Sequence, residues 1–143
     1  MAASSAAMPS VTILVIEDDD RMRMSIARLL RAAGMKCAEH SSAEEALADG
    51  PSEDAACVIC DMKLPGKSGL DLLTELRARN VKAPFILITA HDSPRLRDEA
   101  GRRCAVYLTK PFLGTALLDA VRAAIGSAMP LSGGSWSPVP SKQ

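Results

Sequence analysis

A chain of 143 residues has room for one domain around one core, and 48% hydrophobic with 24% charged residues is the composition of a globular protein able to pack one. Seventeen basic side chains balance seventeen acidic ones, so no global positive field points to nucleic acid, and one Trp and one Tyr offer few platforms for stacking bases. No apolar run approaches the roughly 20 residues that span a bilayer, and the start, MAASSAAMPS, lacks the basic and apolar parts of a secretory signal; a cytoplasmic protein without membrane contact is the expectation.

Residues 1–10 read as a flexible leader. Val11 to Ile16 is β-branched and continuously apolar, as in a parallel strand covered on both faces. From Asp20 to Ala33 the residues Met22, Ile26, Leu29, Leu30 and Ala33 recur at helical spacing, and Gly34 stops the helix. Met35 to Glu39 reads as a short strand. Ser42 is a cap for a helix through Ala48, with Glu45 completing a capping box and Gly50-Pro51 ending it.

Ala55 to Cys60 is the next strand. Gly69 to Arg79 puts Leu70, Leu73 and Leu76 on one helical face. Pro84 leads into a second β-branched run, FILITA, and a short helix follows Pro94. Cys104 to Leu108 is the last strand. Phe112 to Ile125 is the last helix, with Leu113, Ala116, Leu117, Ala120 and Val121 inward. Residues 127–143, rich in Pro, Gly and Ser, read as a flexible tail, which leaves one domain over 11–126.

Five alternating strand–helix units predict an α/β fold: a parallel sheet with helices on both faces and all strand C-termini along one edge, where ligand chemistry sits. Strand one delivers Glu17-Asp18-Asp19-Asp20 there, strand three Asp61, and strand four Thr89. Lys110 follows strand five. Singly each has an ordinary explanation. Acids start helices, with Asp19 or Asp20 as the cap, Thr suits strands, and lysines are mostly solvated. Jointly they aim carboxylates, a hydroxyl and an ammonium at one volume.

Crowded carboxylates take up protons or draw in a cation, and oxygen-only ligands suit Mg²⁺. Lys110 can pair with Asp61 when no ion is bound. A carboxylate kept ionised beside Mg²⁺ and an ammonium can attack phosphorus, with Thr89 bonding a phosphoryl oxygen. Cys57-x-x-Cys60 has the spacing of half a zinc site, but residues three apart on a strand face opposite ways and cannot share a metal. Both read as small buried hydrophobes of a reducing compartment.

Four pieces, ILVIEDDDRMRMSI, VICDMKLPGKSG, ILITAHD and YLTKPF, come in the order and spacing of the receiver domain of bacterial two-component response regulators, which residues 11–126 closely resemble. The resemblance implies a flavodoxin-like doubly wound sheet of five parallel strands in order 2-1-3-4-5. It implies that Asp61 is the phosphoacceptor. It makes Asp18 and Asp61 direct Mg²⁺ ligands, Glu17 a ligand through water, and the Lys63 backbone carbonyl a further ligand. Thr89 and Lys110 become the phosphate-sensing pair, Tyr107 the aromatic switch residue, and Lys110-Pro111 the cis peptide that aims the lysine. Lys63 and His91 fall at the variable positions flanking the phosphoryl group, where they would tune the acyl phosphate's lifetime. Glu17 stands where the family more often has Asp. GRRCAV lacks the usual Gly-Ala before the last strand, a difference that concerns the loop and not the chemistry.

The function so implied is a phosphorelay receiver, not an enzyme beyond its own phosphorylation and dephosphorylation. A histidine kinase or histidine phosphotransfer protein is the donor. The signal would leave through protein contact at the face of helix four, strand five and helix five, to a partner or a second copy of the chain, with no output domain expected after residue 126. A phosphatase with an aspartyl nucleophile would need a second Asp two residues on, where Lys63 stands. A flavin module would need a hydroxyl- or glycine-lined phosphate loop in place of EDDD. A receiver-like interaction module working without phosphorylation is the remaining alternative, and such modules usually lose one of the acids or the lysine, all present here.

Overall fold

The structure, a computed structural model, describes residues 11–49 and 55–128. The expected leader, the Gly50-Pro51 stop and all of the expected tail beyond Ala128 lie outside them. The strands are β1 (Thr12–Ile16), β2 (Lys36–His40), β3 (Ala55–Asp61), β4 (Phe85–Thr89) and β5 (Val106–Thr109). The helices are α1 (Asp20–Ala32), α2 (Ala43–Ala48), α3 (Gly69–Ala78), α4 (Pro94–Arg102) and α5 (Gly114–Ala128). All strand pairs are parallel, and their order, β2-β1-β3-β4-β5, makes the sheet flavodoxin-like and doubly wound.

Strand alternation sorts the core into two layers. Ile13 and Val15, Cys57 and Ile59, and Ile86 and Ile88 meet Ile26 and Leu30 of α1 and Leu117 and Val121 of α5. Leu14 and Ile16, Val58 and Cys60, and Phe85 and Leu87 meet α2 and α3, with Ala100 of α4. Cys57 and Cys60 thus lie on opposite sides of the sheet, both buried.

Helix starts follow their caps. Asp19 caps α1, its carboxylate accepting the Met22 N–H at 3.1 Å, and Gly34 at φ 91 ends the run. Ser42 caps α2 by accepting the Glu45 N–H, but the expected capping box is not closed. Glu45 reaches one residue further back, to the Ser41 N–H at 2.8 Å. The complete box is at α3, between Ser68 and Asp71. There the buried stripe is Gly69, Leu72, Leu73 and Leu76, while Leu70 is only half-buried.

The last helix differs from its expected bounds. It starts at Gly114, so Leu113 precedes it and is 74% exposed instead of inward, and Ala116 is exposed too. The inward positions are Leu117, Val121 and Ala124, set by where the first turn closes: the Leu117 N–H bonds the Leu113 carbonyl. Before β5, Cys104 takes φ 59, a left-handed residue in the segment that lacks the family's glycine. No helix among the described residues is long and apolar enough to cross a membrane.

Candidate functional site

Register places the acids. Ile16 is level with Cys60, so Glu17, the residue that follows β1, comes level with Asp61, the last residue of β3. The Glu17 N–H continues the ladder to the His40 carbonyl at 3.1 Å. Glu17 and Asp61 continue the alternation of Val15 and Ile59, so both turn toward the α1/α5 layer. Glu17 is 1% exposed and Asp61 5%. Asp18, beside them, is exposed. One carboxylate oxygen from each of Glu17, Asp18 and Asp61 lies within 4.8 Å of the others.

Lys110 enters from the other side. Its N–H bonds the Thr89 carbonyl at 2.7 Å, and the Lys110–Pro111 peptide is cis. Its ammonium donates to Glu17 Oε1 at 2.9 Å and to Asp61 Oδ2 at 3.3 Å. Burial pushes the Glu17 carboxyl above its usual range. The bonds from Lys110 and the Asp19 N–H oppose this, and the Asp61 charge adds to it. Burial works against the Lys110 charge, but the bond and charge of Glu17, then those of Asp61, outweigh it and hold the ammonium. Three carboxylates against one ammonium leave an excess of negative charge at the rim. That is a setting for a hard divalent ion, whose octahedral bonds of about 2.0–2.1 Å put ligand oxygens roughly 3–4 Å apart.

The backing of the site is closely packed. A Cβ on Gly69 would sit 2.6 Å from the Asp61 carbonyl oxygen and 2.7 Å from Leu87 Cδ1, so only glycine lets α3 start directly against the end of β3. Its N–H bonds the Met62 carbonyl at 2.9 Å. Gly66 turns at φ 79, and Glu44 of α2 accepts the adjoining Lys67 N–H at 2.8 Å. On the other layer, Thr89, Lys63 and His91 line a cavity of about 270 Å³ with Met62 and Leu96. The Thr89 hydroxyl accepts the His91 N–H at 3.0 Å.

A family model of the response regulator receiver domain matches residues 13–122. The chain belongs to that family. As a receiver it is similar to the transcriptional regulatory protein FixJ of Azorhizobium caulinodans, 41% identical over 82% of this chain and 56% of that protein. It is equally similar to nodulation protein W of Bradyrhizobium diazoefficiens, 41% identical over 78% of this chain and 50% of that protein. The chain therefore spans about half the length of these curated relatives. Among solved structures, a receiver domain protein of Clostridium thermocellum superposes with TM-score 0.76 at 31% identity, covering 82% of this chain and 95% of that one. The receiver domain of a Francisella response regulator superposes at 0.77 and 26% identity, covering 84% of this chain and all of that one. Receivers are signalling modules of two-component systems, and the acidic cluster here could bind Mg²⁺.

Of the residues expected at the receiver site, Glu17, Asp18, Asp61 and Lys110 come together. The Thr89 hydroxyl does not join them: it bonds the His91 backbone, because Leu87 and Thr89 face the α3/α4 layer while Asp61 faces the other. Lys63 meets Asp61 through a long contact from its backbone N–H, 3.5 Å. Tyr107 lies half-buried on the Thr89 side, its hydroxyl donating to Asp92 at 3.0 Å and accepting the Ser93 N–H at 3.1 Å. Three features carried no sequence signal strong enough to read. These are the Glu17–Lys110 pair, 93 positions apart; the close approach at Gly69; and the Asp92–Arg97 group around Tyr107. Cys57 and Cys60 lie in opposite layers, where two sulfurs cannot share a metal, and burial, against a hydrogen bond with the Val58 backbone, pushes the Cys57 thiol up to about 12.

Proposed function

We propose that this receiver takes a phosphoryl group on Asp61 from the phosphohistidine of a histidine kinase or phosphotransfer protein, in the cytoplasm, and signals through the face of α4, β5 and α5. The observation that carries the reading is the Asp61 carboxylate at the tip of β3, 3.3 Å from the Lys110 ammonium and with oxygens of Glu17 and Asp18 within 4.8 Å. A carboxylate oxygen of Asp61 forms the O–P bond as the N–P bond to the donor imidazole breaks, and the electron pair stays on the imidazole, which takes a proton from solvent. Glu17, Asp18, Asp61 and the Lys63 carbonyl are the residues to hold Mg²⁺; their all-oxygen donor set and excess negative charge fit it. When bound there, the ion would neutralise charge on the phosphoryl oxygens.

Lys110 follows the transferred charge, exchanging Asp61 Oδ2 for a phosphoryl oxygen. Thr89 gives up the His91 backbone to donate to another. Tyr107 follows Thr89 inward, and the α4–β5–α5 face changes shape toward a partner protein or a second copy of the chain. This is a population shift, driven by the phosphoryl group contacting one arrangement better than the other. Lys63 and His91, which line one cavity with Thr89, tune the lifetime of the acyl phosphate by limiting in-line water.

Incubation with acetyl phosphate and Mg²⁺, followed by intact mass, is expected to add one phosphoryl group, absent from Asp61→Asn. No addition, or addition that survives Asp61→Asn, overturns the reading. Lys63→Ala is expected to change the dephosphorylation rate; equal rates remove the tuning role.

A further inference from the structure

We propose that Asp92 and Arg97 are positioning residues for the Asp61 site: they clamp Tyr107 at the surface and thereby set how readily Asp61 holds a phosphoryl group. The inference rests on the coupling of Thr89 to Tyr107 proposed above and adds what opposes it.

The clamp is a closed set of contacts. The Tyr107 hydroxyl donates to Asp92 Oδ1 at 3.0 Å and accepts the Ser93 N–H at 3.1 Å. Arg97 Nη2 donates to both oxygens of Asp92, at 2.9 and 3.0 Å. The same guanidinium lies 4.5 Å from the centre of the Tyr107 ring. Asp92 is held in its carboxylate form: the Tyr107 hydrogen bond, ahead of Arg97, lowers its pKa. An isolated exposed ion pair contributes little. Here the pair shares a third partner, so the ring cannot leave without breaking three interactions together.

The clamp also reaches the acceptor site. Ser93 is the N-cap of α4, accepting the Leu96 N–H at 3.2 Å. Two residues before Ser93, His91 holds the Thr89 hydroxyl. Tyr107 is level with Leu87, two residues before Thr89 on the same face of β4. Residues 89–97 therefore form one bonded strap from Thr89 to Tyr107, and drawing Thr89 toward Asp61 must loosen it. Whatever stabilises the strapped arrangement lowers the protein's apparent affinity for a ligand of the other arrangement, by the same factor while that arrangement is the minor one.

The test is a beryllofluoride titration of the full chain in Mg²⁺, followed through α4 and β5 amides and the single Tyr ring by NMR, with thermal melting alongside. Asp92→Asn and Arg97→Ala are expected to bind beryllofluoride roughly fivefold more tightly while their melting temperatures fall. A merely structural role would weaken both. Tyr107→Phe is expected to bind more tightly too, with Asp92→Asn adding nothing on top of it. A wild type that responds, beside an Asp92→Asn variant of equal or weaker affinity, overturns the clamp alone. A wild type that does not respond overturns the phosphoacceptor reading and the clamp with it.

Discussion

Lys110 stands between two buried carboxylates and donates to both. Its removal leaves Glu17 and Asp61 facing each other without compensation, and an uncompensated buried charge costs several kcal/mol. Lys110 keeps some exposure, so Lys110→Met is expected to lose about 2 kcal/mol at pH 7.5 by urea unfolding. The pH dependence has a definite sign. A carboxyl whose folded pKa is raised, as that of Glu17 is, destabilises the fold above that pKa, and the deficit disappears as pH falls through it. The Lys110→Met loss should therefore shrink between pH 7.5 and 5. Millimolar Mg²⁺ at pH 7.5 should recover part of it, since a cation at the acids replaces the lost ammonium. A loss that is the same at both pH values would mean that Lys110 acts through packing.

At the scale of the element, the start of α3 shows two different demands on adjacent residues. Ser68 closes a capping box, a local device that propensity rules describe; Ser68→Ala should cost about 1 kcal/mol and leave phosphorylation of Asp61 unchanged. Gly69 answers a tertiary demand, the Asp61 carbonyl 2.6 Å from where a Cβ would be. Gly69→Ala should cost about 1–3 kcal/mol and also slow phosphorylation by acetyl phosphate, because the backbone of Asp61 must yield. Denaturation and intact-mass time courses on the two variants separate the roles. The loop into β5 shows a third case. Cys104 holds φ 59 without being glycine, so this segment keeps the geometry of the turn at a steric cost of about 1 kcal/mol.

At the scale of the molecule, two apolar layers share one sheet, and a cysteine marks each. Cys57 belongs to the α1/α5 layer and Cys60 to the α2/α3/α4 layer. Burial pushes Cys57 up to about 12 and Cys60 well above the usual thiol range. A thiol reagent at pH 8 should therefore modify exposed Cys104 first and half-buried Cys37 later. Cys57 and Cys60 should react only through opening, and at one common rate if the shared strands make the two layers a single cooperative unit. Unequal rates, read by mass spectrometry of digested peptides, would show that one layer opens alone.

The sequence carried the elements, their order and the identity of the acids at the strand ends, because apolar periodicity, caps and short motifs are local and each strand has one C-terminal end. It also separated Cys57 from Cys60, since alternation along a strand is local. It did not carry the start of α5, the closing partner of Glu45, the pairing of Glu17 with Lys110, or the ties that hold Tyr107. Each of these depends on which segments the crossovers bring side by side. The face to which Thr89 turns is set by strand parity, so it was present in the sequence. Its separation from Asp61 follows only when both strands are in register, since a hydroxyl and a carboxylate on neighbouring strands meet or miss according to the pleat they share.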